Sequence, residues 1–199
     1  VHRAAWSFLF LGALIHTMAV ITHSVHIGHL AVSDSSEALS FFALILVVTY
    51  LVAQVRFHIR ILGSFVSPIA VLFMLGSSLL PVHMMPKTGI IKSVWVALHV
   101  TLLFSANALF ALAFSAGIMY LMQEKHIKRK SLGRLYLRLP SLERLDRINY
   151  VCIVIGFPLM TLGLVSGFAY AGTVWPSFWS WDPKEIFALV TWVIYAVLL

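Results

Sequence analysis

The sequence predicts an all-α protein, a polytopic transmembrane helix bundle with five full spans and the start of a sixth. The 199 residues are 61% hydrophobic and only 11% charged, and the mean hydropathy is +0.96. This composition is typical of an integral membrane protein and excludes an ordinary soluble domain. The third observation is a series of long apolar segments without Asp, Glu, Lys or Arg. We interpret residues 1–199 as a single membrane domain.

Each predicted span is an apolar segment of the length that a membrane helix needs. A hydrocarbon core of roughly 30 Å requires about 20 apolar helical residues. The five full spans are 5–27, 38–55, 61–80, 94–122 and 150–172. A sixth begins near Ile186, but the apolar residues from there to Leu199 would rise only about 21 Å. We therefore expect the chain to be part of a longer protein, cut inside its sixth span.

The basic residues indicate the orientation of the spans. The chain carries 14 Lys and Arg against 7 Asp and Glu, a net charge of +7, and eight of the basic residues lie in 123–149. The positive-inside rule makes this segment a cytoplasmic basic loop. Alternation then places 28–37, 81–93 and 173–185 on the outer side. Because the excess charge is explained by topology, nucleic acid is not expected as a partner.

Within the basic loop, the segment LPSLERLDRINY predicts an amphipathic helix. Charged residues separate four apolar ones at helical spacing, and Ser141 is positioned to cap the helix; the apolar residues are Leu139, Leu142, Leu145 and Ile148. We expect this interfacial helix to lie on the membrane surface with its arginines toward anionic lipid. An anchor leading into the next span is favoured over a docking site for a partner.

The histidines are the first candidates for chemistry. The chain has nine, and ionisable groups inside a membrane usually face a cavity, a cofactor or a partner. His16 lies near the middle of the first span, and His99 lies about five residues into the fourth. Neutral imidazole is a good axial ligand of haem iron, so His16 and His99 are the candidate metal ligands. On spacing alone, a hydrogen bond between helices is the favoured alternative for each.

The outer segment 173–185 is rich in tryptophan. It holds four aromatic residues within a short connection: Trp175, Phe178, Trp179 and Trp181. An aromatic belt at the membrane interface would explain them. Their flat apolar area could also stack on a large planar ligand such as a porphyrin. The sequence leaves both explanations open.

The tetrapeptide after these tryptophans has the pattern of a helix start. Asp182 fits the N-cap, Pro183 the first helical position and Glu185 the third, as in a capping box. The cation Lys184 is in position to pair with a carboxylate such as a haem propionate. Asp182 thus has a structural explanation beside any role in ligand binding.

Cysteine usage excludes several classes of site. Cys152 is the single cysteine, so the chain has no internal disulfide and no Cys-x-x-Cys-His site for covalent haem. No nucleophile or acid/base pair suggests conventional catalysis.

The motifs resemble one family. WSWDPKE followed by FALVTWVIYA closely resembles the tryptophan-rich signature of the cytochrome c assembly family of haem-handling membrane proteins. LPSLERLDRINYVC, GHLAVSDSSEALSF and WVALHVTLLFSANALFALAF are similar to its other segments. The resemblance extends from about residue 10 to 199, and the Asp-Pro-Lys-Glu continuation is closest to the system II, CcsA/ResC-type branch.

This resemblance implies a function and a set of ligands. Such a protein brings haem b to the outer face, holds it against the tryptophan-rich loop and presents it to the Cys-x-x-Cys-His motif of apocytochrome c. His99 matches the outer axial ligand of the family, and His16 is the best candidate for the ligand within the membrane. The second ligand of each pair is expected after Leu199. The implied cofactor-binding residues are His99, His16, Trp175, Trp179, Trp181, Asp182 and Lys184.

The resemblance also implies partners and a location. If the complete protein belongs to a cytochrome c synthase (haem lyase) complex, we expect positioning to be its main contribution. A second system II subunit with a large external domain is expected, in a bacterial cytoplasmic membrane or an equivalent thylakoid membrane. At two positions the chain departs from the family, which commonly has Gly and Tyr where Pro176 and Phe178 stand here.

Two other functions are alternatives to haem transport and presentation. A membrane cytochrome b-type subunit with permanent bis-histidine haem needs paired ligands on two helices, yet the second span has no histidine and the fourth only His99. A transporter with a proton-active pair, His16 and His23, gives the tryptophan-rich loop no role.

Overall fold

The computed structural model describes residues 2–81, 94–130, 138–174, 179 and 181–199. This part of the chain forms helices and no β-strand. The six α-helices are α1 (His2–Ile27), α2 (Ser35–Phe57), α3 (Gly63–Leu79), α4 (Val94–Lys128), α5 (Leu142–Val174) and α6 (Pro183–Leu198), with a short 3-10 helix, Arg60–Leu62, before α3. The predicted all-α class is confirmed.

The lengths of the helices agree with a membrane bundle. Within the described residues, α1, α2, α4 and α5 are long and apolar enough to cross a membrane. The apolar helix α3, predicted as the third full span, is shorter at 17 residues, and α6 has 16. The chain is a multi-pass membrane protein.

Both ends of the predicted basic loop, 123–149, are helical. Helix α4 continues to Lys128 and α5 already begins at Leu142. The predicted interfacial helix is therefore not a separate element but the first turns of α5. Its apolar residues Leu145 and Ile148 have exposed fractions of 0% and lie in the main core. They pack inside the protein because the core offers an apolar surface at the same helical spacing.

The main core lies between α2, α3, α4 and the start of α5. Its most deeply buried side chains include Leu46 of α2, Leu112 and Met119 of α4, and Leu145 of α5. Helix α1 is at the periphery, where only 11% of its most apolar stretch is buried. The exposed apolar face of α1 is the kind of surface that lipid covers.

Helices α4 and α5 pack in antiparallel orientation through glycines. Each glycine of α5 on this face meets a large side chain of α4: Gly156 meets Phe110, Gly163 meets Leu103, and Gly167 meets His99. Small residues let membrane helices approach closely. This packing fixes the start of α4, which carries His99, against the C-terminal half of α5.

Helix α6 packs on α4 and α5 through aromatic residues. Trp192 donates a hydrogen bond of 2.9 Å from Nε1 to Oγ1 of Thr161 and stacks on Phe157. Tyr195 stacks on Phe110, with ring centroids 3.5 Å apart. These contacts hold the second half of α6 against the middle of α4 and α5.

Candidate functional site

His99 lies in the second turn of α4 and is held by α5. Its Nδ1 is 2.7 Å from the carbonyl oxygen of Gly163 and 3.3 Å from Oγ of Ser166. A carbonyl oxygen only accepts, so Nδ1 carries the proton and donates. The lone pair of the neutral ring is then on Nε2, which has no hydrogen-bond partner among the described residues. This is the tautomer in which a histidine binds a metal through Nε2.

The imidazole ring of His99 rests on the backbone of Gly167. A Cβ atom added at Gly167 would lie 2.5 Å from Cε1 and 2.9 Å from Nδ1 of the ring. Any side chain here would have to displace the imidazole. One turn earlier on α4, Trp95 donates from Nε1 to the carbonyl oxygen of Ser166 at 2.7 Å. The start of α4 and the C-terminal half of α5 are thus joined by two side chains of α4.

Two of the predicted tryptophans lie at the same end of α5. Trp179 packs on Phe168, the residue after Gly167, with ring centroids 5.8 Å apart. Trp181 meets Trp179 edge to face at 5.6 Å, and 73% of Trp181 is exposed. His99 thus contacts Gly167 of α5, and Trp179 contacts the next residue, which points about 100° further around the helix. Trp175, Pro176 and Phe178 lie outside the described residues.

Asp182 caps α6, as the sequence predicts. Its Oδ1 accepts from the backbone N–H of Lys184 at 2.8 Å, and Pro183 occupies the start of the helix. Trp181 has a φ of 60°, a left-handed conformation that is uncommon outside glycine. The cap and this backbone turn set the direction of the Trp181 side chain, while the Lys184 side chain is exposed.

His16 lies in a different helix interface from His99. Its Nε2 is 2.9 Å from Oγ of Ser40, which joins α1 to α2. The hydrogen bond between helices, left open as an alternative by the sequence, is thus present at His16. On the same face, His23 reaches Glu37 of α2 at 2.9 Å. The structure does not bring His16 and His99 into one site.

The residues that hold His99 were not predicted. Gly163, Ser166 and Gly167 are small residues three and four positions apart in α5, a spacing typical of close helix packing in membranes. That spacing was the available signal. It predicts a close contact but not which side chain of another helix occupies it.

The described residues contain no group of three or more His, Cys, Asp or Glu side chains that could hold a metal ion. A metal centre formed only by protein ligands is therefore not found in this part of the chain. Iron that arrives already bound within a porphyrin needs fewer protein ligands, since the macrocycle supplies the equatorial nitrogens.

Comparison with known proteins identifies the family. The family model described as Cytochrome C assembly protein matches residues 32–199. The cytochrome c biogenesis protein CcsA of Guillardia theta is 30% identical, with 95% of this chain and 69% of the relative aligned. CcsA of Chlamydomonas reinhardtii is 32% identical over 86% of this chain and 50% of the relative.

A third relative, CcsA of Mesostigma viride, is 31% identical over 86% of this chain and 64% of its own length. The chain spans 50% to 69% of the length of these three relatives. The similarity covers the helices that carry His99, its α5 support and the capped start of α6. The chain belongs to the cytochrome c assembly protein family.

Proposed function

We propose that this chain acts in cytochrome c biogenesis, holding haem b at its outer face and presenting it to apocytochrome c. The observation that supports the proposal most strongly is the His99 imidazole. Its Nδ1 is anchored to α5 and its Nε2 has no partner among the described residues. It lies at the end of α5 where Trp179 and Trp181 form an aromatic surface.

The residues at this end suit haem as a cargo. Neutral imidazole is a common axial ligand of haem iron. Stacked or edge-to-face tryptophans offer flat apolar area to a porphyrin, and the exposed ammonium of Lys184 suits a propionate. Asp182 contributes by capping α6 and so fixing the segment that carries Trp181. Trp175 is proposed as a further part of this surface.

His99 would serve as the outer axial ligand. Donation of Nδ1–H to a backbone carbonyl fixes the ring orientation and increases the basicity of Nε2. The ring is therefore preorganised before haem arrives. A preorganised ligand avoids part of the entropy cost of ordering a side chain on binding.

His16 is proposed as a ligand within the membrane. Its Nε2 is engaged by Ser40, so binding of iron without loss of that bond would use Nδ1. Because His16 and His99 lie in separate interfaces, two positions along the route of haem fit them better than one shared site. A second ligand for each iron would come from another part of the complete protein or from a partner subunit.

The bond-forming step needs positioning more than catalysis. Each thiol of the apocytochrome Cys-x-x-Cys-His motif adds its S–H across a vinyl C=C of haem, with no leaving group. The protein would orient the vinyl groups and exclude water. A second system II subunit with a large external domain is the proposed partner for holding the apocytochrome, in a bacterial cytoplasmic or thylakoid membrane.

A comparison of variants tests this function in the complete protein. Haem content by absorption spectroscopy and cytochrome c maturation in cells are measured for His99→Ala, Trp179→Ala and His126→Ala. His126 lies on the same helix α4 near its opposite end, so it is the matched control. We expect both readouts to fall for His99→Ala and Trp179→Ala and to stay unchanged for His126→Ala.

Two results would contradict the proposal. One is loss of maturation with unchanged bound haem in all variants. The other is permanent haem in a complex that turns over quinol while cytochrome c assembly is normal in a deletion strain, which would instead support the membrane cytochrome b-type function.

A further inference from the structure

A large cavity lies at the end of the bundle opposite to His99. Its volume is about 1020 Å³, at the upper end of the range typical of ligand pockets. Four segments line it: the start of α1, the end of α2, the start of α3 with the 3-10 helix before it, and residues 138–144 at the start of α5. The charge pattern of the sequence predicts this end to face the cytoplasm.

The charges in the lining of this cavity are positive. Arg138 and Arg144 line it, and no Asp or Glu is among the described lining residues. Neither arginine forms a salt bridge within the described part of the chain. Tyr50 donates its hydroxyl to Oε1 of Gln54, which leaves the amide N–H groups of Gln54 as further donors. Such a lining favours an anion with several acceptor oxygens.

One part of the lining, on α1 and the 3-10 helix, is apolar and adjoins exposed apolar residues of α1. Trp6, Leu9 and Ile61 form this part of the wall. Beside them on α1, Phe8 is 74% exposed and Leu11 is 53% exposed. A free inorganic phosphate would fill only a small part of the volume and leave the apolar wall uncovered. The lining therefore matches a ligand with an anionic head and an apolar tail.

We propose that the cavity binds one anionic phospholipid. Its phosphate lies between Arg138 and Arg144, where guanidinium groups make paired charge-assisted hydrogen bonds. Its acyl chains follow the exposed face of α1. Basic pockets between transmembrane helices are suited to anionic headgroups in this way. The proposal does not depend on the haem-presentation function.

Haem is also an amphipathic anion, but the lining fits it less well. A low-spin haem needs two axial ligands, and His58 is the only His, Cys or Met among the described lining residues. The exposed apolar residues of α1 beside the lining also suit two flexible acyl chains better than one rigid macrocycle. Binding of haem here is thus an outcome against the proposal.

The test uses the complete protein, stripped of lipid by detergent exchange and then offered phosphatidylglycerol or phosphatidylcholine. Native mass spectrometry counts retained lipid for the wild type, for Arg138→Gln/Arg144→Gln and for a control, Arg129→Gln/Arg147→Gln. Both double variants remove two exposed arginines near the same end, but the control pair does not line the cavity. We expect retained phosphatidylglycerol to fall about tenfold or more in the cavity variant only.

Further measurements distinguish an anionic lipid headgroup from free inorganic phosphate as the ligand. In the wild type, millimolar inorganic phosphate should leave the bound phosphatidylglycerol in place, and phosphatidylcholine should be retained at least about tenfold less. Arg144→Lys, which keeps the charge and loses the planar fork, should give an intermediate loss. Equal losses in the two double variants, equal retention of the two lipids, or displacement of the lipid by equimolar haem or by phosphate would each overturn the proposal.

Discussion

At the scale of single residues, His99 derives its proposed role from groups that are distant in sequence. The sequence identified His99 by its depth in an apolar span. It did not identify the acceptor of the Nδ1 proton, because that acceptor is the backbone carbonyl of Gly163, which has no side-chain signature. The position of Gly167 under the ring depends on the packing of α4 on α5. The sequence therefore predicts the ligating side chain of such a site but not the backbone groups that hold it.

For His16, in contrast to His99, the sequence predicted the kind of contact that the structure shows. The sequence favoured a hydrogen bond between helices for a lone membrane histidine, and Oγ of Ser40 is 2.9 Å from its Nε2. A donor and an acceptor buried in a membrane each need a partner. That requirement predicts a partner for His16 but not the identity of Ser40.

Substitution of Gly167 by alanine tests the contact between Gly167 and the imidazole ring of His99. The new Cβ would lie 2.5 Å from Cε1 of the ring, so the imidazole must move away from its place on α5. We expect Gly167→Ala to reduce haem retention by about tenfold, since overpacking of this kind costs about 1–3 kcal/mol. The measurement is the haem absorption per mole of purified complete protein.

Two other glycines of α5 are matched controls for this prediction. Gly156→Ala places a Cβ 2.7 Å from Cε1 of Phe110, away from His99, and Gly172→Ala meets nothing within 4 Å. Gly156→Ala should lower thermal stability with haem retained, and Gly172→Ala should resemble the wild type. A haem loss in Gly156→Ala as large as that in Gly167→Ala would show that general helix packing, not the contact of His99 with Gly167, is responsible.

At the scale of elements, the sequence predicted the positions of the helices better than it predicted the end of α4 and the start of α5. The capped start of α6 followed from Asp182 and Pro183, since a cap is a local signal, and the structure confirms it. The start of α5 followed in part: a helix capped by Ser141 was predicted, but as an interfacial helix before a span from residue 150, because the charges in 141–149 suggested a boundary. Charged side chains on the exposed face of a helix do not interrupt it, and Leu145 and Ile148 continue the buried face.

Two substitutions of Asp182 distinguish its structural role as the N-cap of α6 from a direct contact with haem. Asp182→Asn keeps a good N-cap, whereas Asp182→Ala removes it at a cost of about 1 kcal/mol. We expect Asp182→Asn to retain haem like the wild type and Asp182→Ala to retain less, because the segment holding Trp181 loses its anchor. Haem titration of the two variants measures this, and equal loss in both would instead indicate that the carboxylate charge itself is required.

At the scale of the whole molecule, the bundle has two chemically different ends. His99, Trp179 and Trp181 lie at one end, and the cavity with Arg138 and Arg144 lies at the other. The positive-inside rule predicted such a difference from the location of the charges. The cavity itself was not predictable, because its walls come from four segments that only the packing of α1, α2, α3 and α5 brings together.

Cysteine labelling tests the orientation. The native Cys152 is buried, and burial in an apolar helix interface makes it a poor target. Lys184→Cys and Lys128→Cys place thiols at exposed positions near opposite ends of the bundle. In intact cells or sealed vesicles of known orientation, a membrane-impermeant maleimide should label Lys184→Cys from outside and Lys128→Cys only after permeabilisation. The reverse labelling pattern would contradict the proposed orientation of the chain in the membrane.

The most direct test of the central claim is chemical rescue of the His99 ligand. In the complete protein, His99→Gly removes the imidazole and leaves space beside Gly167 that free imidazole can enter. We predict that His99→Gly loses the haem absorption of the outer site and cytochrome c maturation, and that added imidazole restores both, with no such rescue needed in His126→Gly. Full haem binding and maturation in His99→Gly without imidazole would contradict the account.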